Sequence, residues 1–210
     1  MPSDPQPNKQ DKRRRPQRKV EILQAVATLL ENGSNKITTA ALAEHLGVSE
    51  AALYRHFKSK EAIFQELTSY IEDHLLRPAN QLMSSNASPL SQLAQLLKYH
   101  LSFLSQHPGL CRIFLVEGVV GEASGIAETM NAALRKYQTQ IKQILRRGQA
   151  VGEVPEDLFI EEAAQMFVGI LQSRALVFVL SRYSQDPAKG WEVVWMFYLR
   201  AIQGVVAGQE

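Results

Sequence analysis

Residues 37–60 read ITTAALAEHLGVSEAALYRHFKSK. Thr38 and Thr39 stand where hydroxyls cap a helix start, ahead of Leu42, Ala43 and Leu46 at helical spacing. Gly47 then admits a left-handed turn that residues with a Cβ adopt only at a cost. Ser49 caps a second short helix from Glu50 to about His56, and Ala51, Ala52 and Leu53 let it pack closely. Val48 fits the gap between the two helices. A scaffold helix, a glycine turn and a second helix laid across it form a helix-turn-helix, whose second helix enters a DNA major groove.

The polar groups of this stretch suit a polyanion. Thr38 and Thr39 sit at one helix start and Ser49 at the next, where hydroxyls and free N–H groups meet anions. Tyr54, Arg55 and His56 follow, then Lys58 and Lys60 at the start of the next helix. Hydroxyl, guanidinium and ammonium groups along one edge position phosphates. Base edges are read from the front of the helix, where Glu50, Ala51 and Ala52 are available with Tyr54 behind them. Such small side chains offer few bidentate base contacts, so DNA shape carries part of the specificity.

Charge points the same way. Residues 1–60 hold 11 Lys/Arg against 6 Asp/Glu, and residues 61–210 hold 12 against 15, so the net +2 is +5 in front and −3 behind. A basic front on a mildly acidic remainder meets a polyanion. Residues 1–16 carry four prolines around Lys12-Arg13-Arg14-Arg15 and no apolar period, which predicts a disordered basic arm, either touching DNA or free in solvent. Ile22, Val26, Leu29 and Leu30 predict a helix that stops at Gly33.

Downstream, Ser59 caps a long helix striped by Ile63, Phe64, Leu67, Ile71 and Leu75. Pro89 opens a helix striped by Leu90, Leu93, Leu97, Leu101 and Leu104, and Pro108 opens another. Gly118, Gly121 and Gly125 break the chain before the stripe Ile126, Met130, Leu134, Tyr137, Ile141 and Leu145. Gly148, Gly152 and Pro155 punctuate a turn. A long helix from about Asp157 to Arg182 follows, and Asp186-Pro187 opens the last. The pattern predicts an all-α protein of about nine helices without strands. It divides into the arm at 1–16, a helix-turn-helix domain at 17–63, and an effector-binding and dimerisation domain at 64–210.

The last two helices are apolar nearly all round, so they are buried on two sides. Either both are central core helices of a monomer, or one side meets a second copy. Phe167, Leu171, Phe178, Trp191, Trp195 and Tyr198 are the candidate dimer-interface residues. Tyr99, His100, Phe103, Cys111, Phe114 and Glu117 are candidates for lining a small-molecule pocket, the alternative being a filled core.

Other classes find no support. The single cysteine, Cys111, permits no intrachain disulfide, and His45, His56, His74, His100 and His107 show no metal-ligand spacing. There is no nucleophile elbow or phosphate loop, so we expect no catalytic residue, no metal and no cofactor. The hydrophilic first 20 residues are unlike a signal peptide. The apolar run 175–180 is far shorter than the roughly 20 residues of a membrane span. The expected location is cytoplasmic, on the nucleoid, with no membrane partner.

Gly47-Val48-Ser49 and Leu53-Tyr54-Arg55-His56-Phe57-Lys58-Ser59-Lys60 resemble the DNA-binding signature of the TetR family over about residues 17–64. Arg146-Arg147-Gly148-Gln149-Ala150-Val151-Gly152-Glu153 is similar to a turn in that family's second domain. The resemblance implies a homodimer pairing through its last two long helices on a palindromic double-stranded DNA operator. It implies phosphate contacts from Tyr54, His56 and Lys60, and repression modulated by a small-molecule effector. Within the family, Ser49-Glu50-Ala51-Ala52-Leu53-Tyr54-Arg55-His56-Phe57, Ile71-Glu72-Asp73 and Pro108-Gly109-Leu110 are most similar to nucleoid-occlusion regulators of the SlmA type. Those bind chromosomal DNA and restrain cell division. That likeness fades beyond about residue 120. For Ile71-Glu72-Asp73, an ordinary amphipathic helix with a wet face explains the residues as well.

Overall fold

The computed structural model describes residues 21–22, 25–26, 28–29, 38–115 and 124–204. Among these residues lie eight helices and no strand. They are α1 (Thr39–His45), α2 (Glu50–Tyr54), α3 (Lys60–Met83), α4 (Pro89–Gln106), α5 (Pro108–Phe114), α6 (Ser124–Ala150), α7 (Ile160–Leu180) and α8 (Trp191–Gln203). The described positions at 21–29 are also helical and match the first expected helix; Ile22, Ala25 and Val26 are buried. The basic arm, the stop at Gly33 and the breaks at Gly118 and Gly121 lie outside the described residues. Gly125 falls inside α6 rather than breaking the chain.

The helix starts follow from side-chain caps. The Oγ atoms of Thr38, Ser49, Ser59 and Ser88 accept hydrogen bonds from the backbone N–H of Ala41, Ala52, Ala62 and Ser91. Each satisfies a donor that the first turn leaves without a helical partner. The end of the chain departs from expectation. Residues 187–190 form a turn, and α8 starts at Trp191, capped by Gly190 at φ 70°. Asp186 Oδ1 accepts from the Ala188 N–H at 2.9 Å, an Asx bond that competes with helix at that point.

Around one core, α6 packs on α3, α4 and α7, and α7 also packs on α5. The expected stripes form this core: Leu67, Ile71, Leu97, Leu101, Met130, Tyr137, Ile141 and Leu145 are at most 2% exposed. By length and composition α7 is apolar enough to cross a membrane, a property the short run at 175–180 does not suggest. Here Phe167 and Leu171 on α7 are completely buried in the core. Its Arg174 reaches the Lys189 carbonyl at 3.2 Å.

One polar relay crosses this core. Pro78 lies inside α3 and has no N–H, so the carbonyl of His74, four residues back, lacks its helical donor. His100 of α4 fills the gap, with Nε2 3.1 Å from that oxygen. A carbonyl can only accept, so Nε2 carries the proton and Nδ1 accepts from the Tyr137 hydroxyl of α6 at 2.9 Å. Burial, which disfavours the charged ring, lowers the His100 pKa from 6.5 to about 4. Burial likewise raises the Tyr137 hydroxyl well above its usual value.

The turn after α6 ties the bundle's lower end. Gly152 takes φ 75°, and Gly148 packs so closely that a Cβ there would stand 2.7 Å from Val154 Cγ2. Gln149 Nε2 donates to the carbonyls of Pro155 and Glu156 at 2.9 and 3.0 Å. Glu153 Oε2 accepts from the Leu90 N–H at 2.9 Å, adding a long-range cap to α4.

The relay sets a pH dependence. Above pH 6.5 His100 is neutral folded and unfolded, and contributes no slope. Between 6.5 and about 4 the unfolded chain takes up a proton that the folded chain refuses, so stability falls with pH. The full loss is about 3 kcal/mol. Chemical denaturation across this window should show a steeper acid loss for the wild type than for His100→Gln. Parallel curves would mean that His100 titrates alike in both states.

Candidate nucleic-acid interface

The helix-turn-helix closes on backbone hydrogen bonds as well as apolar contact. Gly47 at φ 63° brings its N–H to the Glu44 carbonyl at 3.0 Å, and the Val48 N–H reaches the Ala43 carbonyl at 2.9 Å. Leu42 and Ala43 of α1, Leu53 of α2 and Phe57 beyond it are buried with Ile22, Val26, Ile63 and Leu67. The recognition helix is thereby seated on the scaffold helix and on the start of α3.

Burial of Leu53 and Phe57 decides what α2 presents. At 100° per residue, Ala51 and Arg55 point directly away from Leu53, with Glu50 and Tyr54 on one flank. All four are exposed, as is Lys58, whereas Ala52 and His56 are half-buried. Thr38 and Ser49 are exposed, and their oxygens already accept from Ala41 and Ala52. Each hydroxyl proton is left for an outside acceptor such as a phosphate oxygen. Thr39 is different: its Oγ1 donates to Glu50 Oε2 at 2.6 Å. Its proton is committed to a carboxylate, which removes it from the expected anion-binding set. Lys60 begins α3, and its side chain lies outside the described residues.

The interior candidates separate. His100, Cys111 and Phe114 are buried, and Phe103 is half-buried. His100, Phe103 and Phe114, with Ile71, Leu75, Leu104, Leu110 and Leu171, enclose a space of about 10 Å³. That is the least volume a single water needs. Cys111 Sγ packs toward the carbonyls of Leu104 and His107 at 3.5 and 3.7 Å. Tyr99, about 100° round the helix, meets the His100 ring edge-on at 5.2 Å but is itself exposed. It lines an open groove of about 440 Å³ between α3 and α4 with Asp73, His74, Arg77, Pro78 and Gln95. Tyr99 and His100 therefore do not share a pocket. Glu117 lies outside the described residues.

The dimer candidates also divide. Phe167, Leu171, Phe178 and Tyr198 are packed in the chain's own core, and the Tyr198 hydroxyl donates to the Ala163 carbonyl at 3.1 Å. They are unavailable to a partner. Trp191 and Trp195 are half-buried. The apolar face left outside is a second stripe on these all-round apolar helices: Leu176, Val177 and Leu180 on α7, with Val193, Met196 and Phe197 on α8. Leu180 is 68% and Phe197 64% exposed. With both stripes apolar, composition alone did not say which one faces inward.

Comparison with known proteins agrees with this architecture. The family model described as bacterial regulatory proteins, tetR family, matches residues 22–67. A second, the tetracyclin repressor-like C-terminal domain of the SlmA-like type, matches residues 88–203. That match carries the SlmA likeness well past residue 120, where the motifs alone had it fade. The nucleoid occlusion factor SlmA of Aliivibrio fischeri is 36% identical over 197 residues, covering 90% of this chain and 98% of that protein. The nucleoid occlusion factor SlmA of Marinomonas sp. is 31% identical over 179 residues, covering 85% and 91%. In fold, the chain is similar to the transcriptional regulator FadR from Bacillus subtilis in complex with stearoyl-CoA. There the TM-score is 0.72 at 20% identity, with 87% of this chain and 98% of that chain covered. The ketosteroid transcriptional regulator KstR2 of Mycobacterium tuberculosis gives 0.74 at 18% identity, covering 90% and 96%. With a helix-turn-helix seated on an all-helical body and both domains matched, the chain belongs to the TetR family of bacterial regulatory proteins, non-enzymatic DNA-binding proteins.

Proposed function

We propose that the chain is a homodimeric regulator that holds chromosomal DNA and restrains cell division in nucleoid occlusion, without a small-molecule inducer. The observation that carries this is the close packing around His100 among the described residues. Where the sequence suggests an effector pocket, the side chains around His100 leave about 10 Å³. The likeness to nucleoid occlusion factors along nearly their whole length supports it separately. The protein would then be cytoplasmic and nucleoid-associated.

Tyr54, Arg55, His56, Lys58 and Lys60, with the hydroxyls of Thr38 and Ser49, position phosphates. Glu50, Ala51 and Ala52 face base edges. Two copies pair through the outer stripes of α7 and α8, setting their recognition helices about 34 Å apart on a palindromic duplex site.

A second reading, a local transcriptional repressor gated by a small molecule, is favoured by the groove at Tyr99. Its 440 Å³ and its polar Asp73, Arg77 and Gln95 suit a ligand entering from outside.

Crosslinking and sequencing of bound DNA in the native host separates the two. Dozens of dispersed sites that thin out near the replication terminus are expected for nucleoid occlusion. A handful of sites with one beside the protein's own gene would favour the local repressor instead. In vitro, Tyr54→Phe and Arg55→Ala should weaken binding to all duplex sequences alike. The arginine change should also lower the slope of log affinity against log salt by about 1. An unaltered slope would take Arg55 out of the phosphate contacts. Phe197→Asp should sediment as a folded monomer where the wild type is a dimer; a dimer that survives this change would place the interface elsewhere.

A further inference from the structure

Thr39 and Glu50 face each other across the helix-turn-helix turn. The 2.6 Å bond from Thr39 Oγ1 to Glu50 Oε2 is short, as for a hydroxyl donating to an ionised carboxylate. Among the described residues no cation pairs with Glu50. The surface around it otherwise presents Tyr54, Arg55 and Lys58. A fixed negative charge there opposes every phosphate it approaches, so it lowers affinity for DNA in general. The bond to Thr39 also fixes where that carboxylate sits.

What such a group can accept is narrow. In the major groove, guanine shows two acceptors, thymine an acceptor and a methyl, and adenine a donor beside an acceptor. Cytosine alone shows only a donor, its N4 amino group. A carboxylate, which can only accept, is attracted to cytosine and repelled by guanine and thymine. Ala51, next along the helix, ends in a methyl and does not compete for the same base edge.

We propose that Glu50, positioned by Thr39, selects cytosine at one position of each DNA half-site, and does so mainly by rejecting the other bases. Thr39 is thus a positioning residue, and Glu50 a specificity-determining one. The proposal rests on the DNA-binding reading above.

The test is selection of bound sequences from a randomised duplex library by the full-length wild type, Glu50→Ala and Thr39→Val. Wild type should enrich cytosine at one position per half-site by about ten-fold or more. Glu50→Ala should lose the preference at that position, keep the others, and bind random duplex a few-fold tighter because a like charge is gone. Thr39→Val should retain affinity with a flattened cytosine preference. A Glu50→Ala protein with the wild-type preference, or one weakened equally on all sequences, overturns the proposal while leaving DNA binding intact. A Thr39→Val protein with the full preference overturns the positioning role. Failure of the folded wild type to retain any duplex removes the DNA-binding reading and the proposal together.

Discussion

The carbonyl of His74 has no donor within its own helix, because the residue four positions on is Pro78. It takes the Nε2 proton of His100 instead, and that choice of tautomer makes Nδ1 the acceptor for Tyr137. Three helices, α3, α4 and α6, are thus joined at one depth of the core by two hydrogen bonds whose direction is forced. A proline in a helix interior normally costs about 3 kcal/mol, through the orphaned carbonyl and the clash of the ring with it. Here the carbonyl is satisfied from a neighbouring helix, and the apolar packing of α3 on α6 continues above and below it. Buried polar groups of this kind specify register: α4 cannot slip by a turn against α3 without leaving His100 unpaired.

Much of this architecture was legible in the residues. Thr38, Ser49 and Ser59 announced three helix starts, and Gly47 a left-handed turn, because those signals act over one or two residues. The stripes of α3, α4 and α6 were legible for a related reason, since each has one apolar face and one wet one. The inward stripe of α8 was not, because both of its faces are apolar and only the packing of Tyr198 and Ile202 against the core distinguishes them. The start of α8 was displaced by an Asx bond from Asp186, a local competitor that composition does not reveal. Nor did sequence adjacency reveal that Tyr99 and His100 serve different surfaces.

At the DNA-facing surface the same distinction holds. Residue type and spacing gave the list Thr38, Thr39, Ser49, Glu50 and Tyr54, but not its division of labour. Thr38 and Thr39 are neighbours with the same side chain. One caps α1 with its oxygen and leaves its proton free, and the other spends its proton on Glu50. The difference arises from the approach of α1 and α2 across the Gly47 turn, a tertiary fact. It turns a presumed phosphate ligand into the support of a negative charge.

The position of the His74 carbonyl along α3 has a mechanical consequence. The helix has 24 residues, and the relay joins it to the body at its fifteenth. The stretch from Lys60 to His74 is then a stiff arm roughly 21 Å long, carrying the helix-turn-helix at its free end and pinned at a fulcrum in the core. A tilt of about 5° at that fulcrum displaces the far end by roughly 2 Å, enough to take a recognition helix out of hydrogen-bond reach of a base. In the proposed dimer, two such arms would convert a slight rotation of their bodies into a change of span between the reading heads. The stiffness of the relay from the His74 carbonyl through His100 to Tyr137 would thereby set how finely such a dimer measures DNA.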